Sequence, residues 1–154
     1  FKEDIKLIKN IIYYFKFNDL PDSIIIKALF LLDWKFCIEN NKPLFGDIIW
    51  LKENGLFNIK GKKKYKINHL LKSNKIRDEL HNNIISMVDF IIEKYNRLKR
   101  SGFEQLYCSV YPYIKIYNNE TLDVFKLNKE YKEIKHNIKL CEIMRGTNGK
   151  NKLI

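Results

Sequence analysis

The chain contains few of the residues that bind metal ions or cross-link a fold. Its 154 residues include three cysteines and three histidines, all widely separated. An odd number of cysteines without a CxxC pair is typical of free thiols in a reducing compartment, so we expect a cytoplasmic protein without disulfides. Metal sites need several His, Cys or carboxylate ligands at short spacing, so we expect neither a metal nor a cofactor. The residues concerned are Cys37, Cys108, Cys141, His69, His81 and His136.

Glycine and long apolar runs are also scarce. The six glycines form neither the GxxxxGK[ST] nor the GxGxxG pattern of nucleotide-binding loops. The most apolar stretch, Ile24–Leu32, contains Lys27 and is followed by Asp33, so it is too short and too polar to cross a bilayer. We therefore expect no nucleotide-binding loop and no membrane partner.

Residue pairs that could catalyse a reaction have simpler explanations. Nucleophilic catalysis requires a serine or cysteine beside a histidine base, whereas Cys108 and Ser109 lie in a predicted helix with apolar and aromatic neighbours. We expect Cys108 to be buried in packing. Neighbouring carboxylates fall in first helix turns or on solvated helix faces, where negative charge is favourable without catalysis. The sequence thus predicts a protein that is not an enzyme.

Positive charge, in contrast, is abundant. Twenty-nine lysines and arginines oppose eighteen acidic residues, which gives a net charge of +11. This charge favours an acidic partner, either protein or nucleic acid, because opposite potentials speed association. An A/T-rich genome would produce the same lysine excess through codon bias, so this alternative stays open.

The densest basic segment is KGKKKYK at residues 60–66, which has no apolar periodicity and is predicted to be an exposed loop or β-turn. In the alternative function, nucleic-acid binding, this segment contacts phosphates, and binding weakens with added salt because counterions are released. The candidate phosphate contacts are Lys60, Lys62, Lys63, Lys64 and Lys66.

Helical periodicity dominates the first forty residues. Apolar residues at three- and four-residue spacings predict a helix over residues 4–17, and Asn18–Pro21 ends it. A second helix, capped by Asp22 or Ser23, is predicted to run to about Asn40. Its apolar residues cover more than one face, so we expect it to lie at the centre of the core.

Shorter elements follow in the remainder of the chain. Turn formers around a β-branched run predict a brief strand at Ile48–Leu51. A regular apolar stripe predicts a helix over residues 76–98. The sequence of Ser101–Glu104 matches a capping box, so a short helix is expected over residues 102–110, ended by Pro112.

These elements define the predicted fold class. Thr121 and Asp123 can open a last helix. The chain is therefore predicted to be mainly α (α+β), a compact domain of about five helices with a small β element around residues 46–67. Residues 1–140 are predicted to form a single domain, and residues 141–154 a flexible C-terminal tail.

Aromatic residues are the candidates for contact with a partner. The chain has nine tyrosines and ten phenylalanines, and such rings anchor many protein interfaces because they bury a large area. Core packing and stacking on unpaired nucleic-acid bases are the alternative uses of the same rings. The candidate partner-binding residues are Trp50, Tyr107, Tyr111, Tyr113 and Tyr117.

Two segments, in order along the chain, resemble the Panacea domain, the family that includes SocA-like antitoxins. The first is KALFLLDW at Lys27–Trp34 with NKPLFGD at Asn41–Asp47, similar to the family's KLLYFAD helix and GRPLTGD turn. The second is LYCSVYP at Leu106–Pro112, followed by TLDV at Thr121–Val124 and LNKEY at Leu127–Tyr131, similar to an LVYSTYP…TLDLVxLAxEYK ending found in part of the family. Together they bracket roughly residues 5–135.

The chain departs from the family pattern in two places. Glu53–Leu56 reads ENGL, where the family usually has Tyr-Gly-Pro-Val after the strand. Asn41 stands where the family's turn usually begins with glycine, and asparagine also tolerates a positive φ. The residues of this chain that match turn or motif positions of the family are Asp33, Pro43, Gly46, Asp47, Gly55 and Pro112.

The resemblance implies a compact helical fold and a role as an antitoxin or adaptor, which neutralises or recruits a cognate toxin or defence effector by direct contact. It implies no catalytic residues. Turn chemistry alone also explains Pro43, Gly46 and Asp47, so a turn role and partner contact are both open for these residues. The leading prediction is a protein-binding module whose cognate protein carries an acidic surface.

Overall fold

The computed structural model describes residues 1–72 and 79–145. Over these ranges the chain forms six helices and one three-stranded sheet, so the predicted mainly α fold with a small β element is confirmed. None of these helices is long and apolar enough to span a membrane. The helices are α1 Lys2–Phe17, α2 Asp22–Asn40, α3 Ile67–Leu70, α4 Asn82–Ser109, α5 Tyr111–Lys115 and α6 Val124–Met144. The strands are β1 Trp50–Glu53, β2 Leu56–Ile59 and β3 Thr121–Leu122.

The first two helices lie close to where the sequence predicts them. Asp19 adopts a left-handed φ of 64° and separates α1 from α2. The predicted cap by Asp22 or Ser23 is wrong, because α2 begins at Asp22 itself and no described side chain caps it. The carbonyl oxygen of Pro21 instead accepts the backbone N–H groups of Ile24 and Ile25, each at 2.9 Å.

Helix α2 lies at the centre of the core, as predicted. Eleven of its 19 residues are buried, because it packs against α1, α4, α6 and β2 and needs apolar side chains on several faces. The Phe30 ring stacks on Phe57 with centroids 4.0 Å apart and meets Trp50 edge-on at 5.2 Å. These rings join the central helix to the sheet.

The sheet has the order β2-β1-β3, and both outer strands are antiparallel to β1. Asn54 and Gly55 connect β1 to β2 with φ of 51° and 79°, which suits the twist of a two-residue hairpin. The predicted strand start at Ile48 is two residues early. The Ile48 N–H donates to the carbonyl of Phe45 within the preceding turn, so ladder pairing begins only at Trp50.

The segment before α6 contributes the third strand, which the sequence does not predict. Thr121 is expected to open a helix but pairs with Leu51 in the sheet. Asp123 is the residue that caps α6, since its carboxylate accepts the N–H groups of Phe125 and Lys126 at 3.0 and 3.3 Å.

Helix α6 continues to Met144, four residues beyond the predicted domain end at residue 140. Residues 131–145 of this segment are half-buried or exposed, so the second half of α6 leaves the core. The remainder of the predicted tail, residues 146–154, lies outside the described residues.

Helix α4 contains a bend at Lys99, which adopts φ 62° and ψ −175°. The predicted helix start falls within residues 73–78, which are outside the described ranges, and the observed helix begins at Asn82. The predicted capping box is wrong, because the non-helical residue is Lys99 and Ser101 already lies in the second half of α4. A Cβ at Gly102 would lie 2.9 Å from the Leu98 Cβ, so the close approach at this bend requires glycine.

Replacing Lys99 by glycine is expected to raise the free energy of unfolding by about 1 kcal/mol, because its backbone conformation is one that essentially only glycine adopts without strain. Urea denaturation of the purified protein measures the change. Lys99→Ala is the matched control: alanine shares the strain and should give no such gain. A glycine variant less stable than the parent would contradict the strain at this position.

Candidate functional site

Asp33 is a fully buried carboxylate that organises the turn after α2. Its Oδ1 accepts the N–H groups of Leu44 and Phe45 at 2.8 and 3.3 Å, and its Oδ2 accepts the indole N–H of Trp50 at 2.8 Å. Burial raises the pKa of Asp33 to about 6, although these donors favour the charged form. Asp33 therefore holds the turn and the start of β1 from inside the core.

The other motif residues of this turn lie nearer the surface. Pro43 is half-buried, while Gly46 and Asp47 are exposed. The Asp47 N–H donates to the Asp4 carboxylate at 3.0 Å, which ties the turn to α1. Gly46 is outside the left-handed region, so its backbone conformation in this turn is one that other residues also adopt.

Two of the predicted partner contacts are core residues, so that prediction is wrong for Trp50 and Tyr107. Both side chains are 0% exposed. The Tyr107 hydroxyl accepts the backbone N–H of Phe57 at 2.8 Å, which connects α4 to β2, and burial raises its pKa. Both rings contact Phe30 of α2, so their contribution is to the packing of helix on sheet.

Lys52 is a buried cation that the sequence analysis missed. Its Nζ donates to the carbonyl oxygens of Tyr113 and Ile116 at 2.7 and 2.8 Å and lies 3.7 Å from the Tyr113 ring centroid. Burial lowers the pKa of this lysine. Strand alternation places Lys52 on the same face as the buried Trp50, and this was the signal available in the sequence. Lys52 joins the sheet to the C-terminal end of α5.

The hairpin turn also contacts this region. The Gly55 N–H donates to the side-chain oxygen of Asn118 at 3.0 Å, and a Cβ at Gly55 would lie 3.2 Å from the Tyr113 hydroxyl. Pro112 is buried in the first turn of α5, just after α4 ends. These motif residues position α5, whereas Tyr117 beyond it is 73% exposed.

An open apolar groove of about 600 Å³ lies between α2, α4, α5 and α6. Of the predicted partner-binding residues, Tyr111 is the one that lines it. The Tyr111 hydroxyl donates to Glu130 at 3.0 Å, and its ring lies 5.2 Å from that of Tyr131. The apolar and aromatic lining of the groove comprises Leu31, Trp34, Ile38, Phe90, Ile91, Leu106, Val110, Tyr111, Ile114 and Tyr131.

Two exposed side chains and two lysines distinguish this groove from the core. Ile114 is 64% exposed and Phe90 is 41% exposed, so both present apolar area to solvent. Lys35 and Lys94 also line the groove, with their Nζ atoms 4.1 and 5.2 Å from the Phe90 ring centroid. Glu39 also lines the groove and is paired with Lys35. We call this surface, with its apolar lining and its two lysines, the α2–α4 groove.

The apolar face of α6 extends from the α2–α4 groove. Tyr131 lines the groove, and Ile134 and Ile138 follow it at helical spacings, with 38% and 55% exposure. Cys141 continues the same spacing and is exposed. The groove and this helix face therefore form adjoining apolar surfaces.

The predicted basic loop is exposed, and none of its residues lines the α2–α4 groove. Lys60, Lys62, Lys63 and Lys64 are exposed, and residues 63–65 form a 3-10 turn. Lys66 is half-buried and paired with Glu53 at 3.2 Å. Five lysines in seven residues thus leave four free of ion pairs within the described ranges.

The expectation that Cys108 is buried is wrong. Its thiol is exposed, because it lies on the outer face of α4 next to Tyr113, whose pKa is raised by burial and by a hydrogen bond with this thiol. Cys37 is buried, and Cys141 is exposed. Within the described ranges, His, Cys and acidic side chains do not form a group of three that could hold a metal ion.

Comparison of the chain with protein-family models, with curated proteins and with solved structures finds no match.

Proposed function

We propose that this domain is a non-catalytic protein-binding module that accepts a helix of a cognate protein in the α2–α4 groove. The observation that carries the proposal is the groove itself, an open, mainly apolar channel of about 600 Å³ between helices. Exposed apolar surfaces of this kind are unusual on a monomer and mark interaction sites. An amphipathic helix in a hydrophobic groove is a recurring mode of protein recognition.

The side chains of the groove favour a tight contact. Tyr111 is large and half-buried, and its ring is fixed by its contact with the Tyr131 ring, so little side-chain entropy is lost on binding. Ile114 is the most exposed apolar side chain of the lining, so a bound helix would remove the largest fraction of apolar area from water at this residue. Such anchors near the centre of an interface contribute most of its binding free energy.

The charges at the groove favour an acidic partner. Lys35 and Lys94 lie beside Phe90 at its edge. Because Lys35 is paired with Glu39, which also lines the groove, the local excess of positive charge comes from Lys94. The whole chain carries a net charge of +11. A helix with apolar residues on one face and acidic residues beside them would satisfy both features of the groove. The resemblance to the Panacea domain supports the class of partner, a toxin or defence effector that the domain neutralises or recruits as an antitoxin or adaptor.

Replacing Ile114 by glutamate is expected to weaken binding of the cognate protein at least about thirtyfold, because a charge would enter the apolar groove. The tagged chain is used to capture partners from its native host after nuclease treatment, and mass spectrometry identifies them. Calorimetric titration with the purified partner then compares the parent with the variant. Phe17→Glu is the matched control, since Phe17 is 75% exposed on α1 and outside the groove.

Co-expression gives a second readout. If the partner slows growth when produced alone, the parent and the Phe17 variant should restore growth and the Ile114 variant should not. Equal affinity of all three proteins for the partner would exclude the groove as the docking site. Failure to capture any protein at stoichiometric amounts would contradict the proposed function itself.

A further inference from the structure

A second concave site lies between α1 and the segment Lys63–Leu70. It is a cleft of about 260 Å³. Ile5 and Lys9 lie one turn apart on α1 and form one wall, and the 3-10 turn and α3 form the other. The complete lining is Ile5, Lys9, Lys64, Tyr65, His69 and Leu70, and we call this site the α1–α3 cleft.

The α1–α3 cleft collects basic groups without acidic ones. Lys9, Lys64 and His69 all line it, and no carboxylate is part of the lining. Within the described ranges neither Lys9 nor His69 has an ion-pair partner, and Lys64 lies over the Tyr65 ring with its Nζ 5.0 Å from the centroid. Lysines held close together repel one another, so an anion in the cleft would remove an unfavourable interaction.

Two acidic residues of the neighbouring elements are engaged elsewhere, and Glu3 of α1 is exposed and does not line the cleft. The Asp4 carboxylate of α1 accepts the Asp47 N–H at 3.0 Å, and Glu53 of β1 pairs with Lys66 at 3.2 Å. The exposed lysines 60, 62 and 63 extend the basic surface away from the cleft along the chain. A polyanion lying in the cleft would therefore meet further positive charge on leaving it.

We propose that the α1–α3 cleft binds the phosphodiester backbone of a single-stranded nucleic acid. Lys9 and Lys64 neutralise backbone phosphates, and His69 donates a hydrogen bond. The half-buried Tyr65 ring meets the perpendicular Phe1 ring at 4.8 Å and carries the Lys64 Nζ over one face, so one unpaired base would stack there in place of the ammonium group as Lys64 turns to a phosphate. A duplex holds its bases inside the helix and could not use the Tyr65 ring, so the cleft favours a single strand. This site is separate from the α2–α4 groove and does not depend on the proposed protein partner.

The double replacement Lys9→Gln and Lys64→Gln is expected to lower affinity for a fluorescein-labelled oligothymidylate of about twelve nucleotides at least about tenfold at low salt. Fluorescence anisotropy is measured on the full chain from about 50 to about 300 mM KCl. For single strands, each lost phosphate contact lowers the slope of log affinity against log salt by about 0.7, so the double variant should lose about 1.4.

The matched control is the double replacement Lys42→Gln and Lys139→Gln, which removes the same charge from exposed positions outside the cleft. It should change affinity for the oligonucleotide by no more than about twofold, because it alters only the long-range electrostatic potential of the protein and no group in the cleft. Circular dichroism confirms that both double variants are folded. Equal losses in the two variants, or no binding by the parent, would overturn the cleft as a site.

Two competition arms identify the ligand class. Unlabelled oligothymidylate should displace the probe at far lower concentration than thymidine monophosphate or a duplex of the same length. Displacement by the mononucleotide at a comparable concentration would assign the cleft to small phosphate ligands and overturn the nucleic-acid proposal. Tighter binding of the duplex would overturn the role of Tyr65, for which Tyr65→Leu should lower affinity about fivefold or more.

Discussion

Replacing Asp33 by alanine is expected to lower the free energy of unfolding by at least about 3 kcal/mol. The carboxylate accepts three N–H groups, from Leu44, Phe45 and Trp50, and each donor left unpaired in the interior costs on the order of 1 to 3 kcal/mol. The side chain is 0% exposed, so water cannot replace it without opening the core. The turn after α2 and the first residue of β1 would lose their common anchor.

Chemical denaturation at neutral pH measures this change. Glu133→Ala is the matched control, because Glu133 is exposed on α6 and its removal should alter the free energy by no more than about 0.5 kcal/mol. Asp33→Asn should be intermediate: the amide oxygen still accepts the two backbone N–H groups, but the amide nitrogen faces the Trp50 donor. An alanine variant as stable as the parent would show that Asp33 does not anchor the turn.

Raising the pH from about 3 to about 7 is expected to remove about 3 kcal/mol of the stability that Asp33 contributes. Burial raises its pKa from 3.8 to about 6, so between these values the folded protein keeps a proton that the unfolded chain has lost. The free energy of unfolding therefore falls as the pH rises through this window. It decreases by about 1.4 kcal/mol for each pH unit between the two pKa values. The contribution is fully present below about pH 3, where the unfolded chain also keeps the proton.

Other carboxylates of the chain titrate in the same range, so the contribution of Asp33 is obtained by difference. Free energies of unfolding of the parent and of Asp33→Asn are measured at several pH values, and the asparagine cannot titrate. The difference between parent and variant should fall by about 3 kcal/mol across the window. A constant difference would show that the pKa of Asp33 is close to its usual 3.8.

The position of Asp33 also bears on the resemblance to the Panacea domain. In this chain the first motif segment stabilises the interior, through Asp33 and its contact with Trp50. The groove side chains exposed to a partner, Phe90 and Ile114, lie outside the segments that carry the resemblance. Trp34 and Tyr111, which also line the groove, lie within these segments, so the matching residues contribute to the groove as well as to the interior.

Sequence periodicity predicted the two N-terminal helices because it depends on neighbours along the chain. Isoleucines three and four residues apart form a stripe on α1, and the several apolar faces of α2 require burial on every side. Asn54 and Gly55 have the local backbone preference of a hairpin turn, but the sequence analysis predicted only the first strand of this hairpin and not β2. The bend at Lys99 was missed because a lysine in that conformation has no local sequence signal.

The functional surfaces depended on which elements face one another. Trp50 and Tyr107 are residue types that often anchor interfaces, yet both are buried in the core by packing against α2. Tyr111, on the next helix, lines the α2–α4 groove instead. An aromatic residue satisfies the same periodicity in a core or in a groove, so only the tertiary structure separates the two. Likewise, composition specified a basic chain, but the convergence of Lys9 with Lys64 required two segments more than fifty residues apart to pack together.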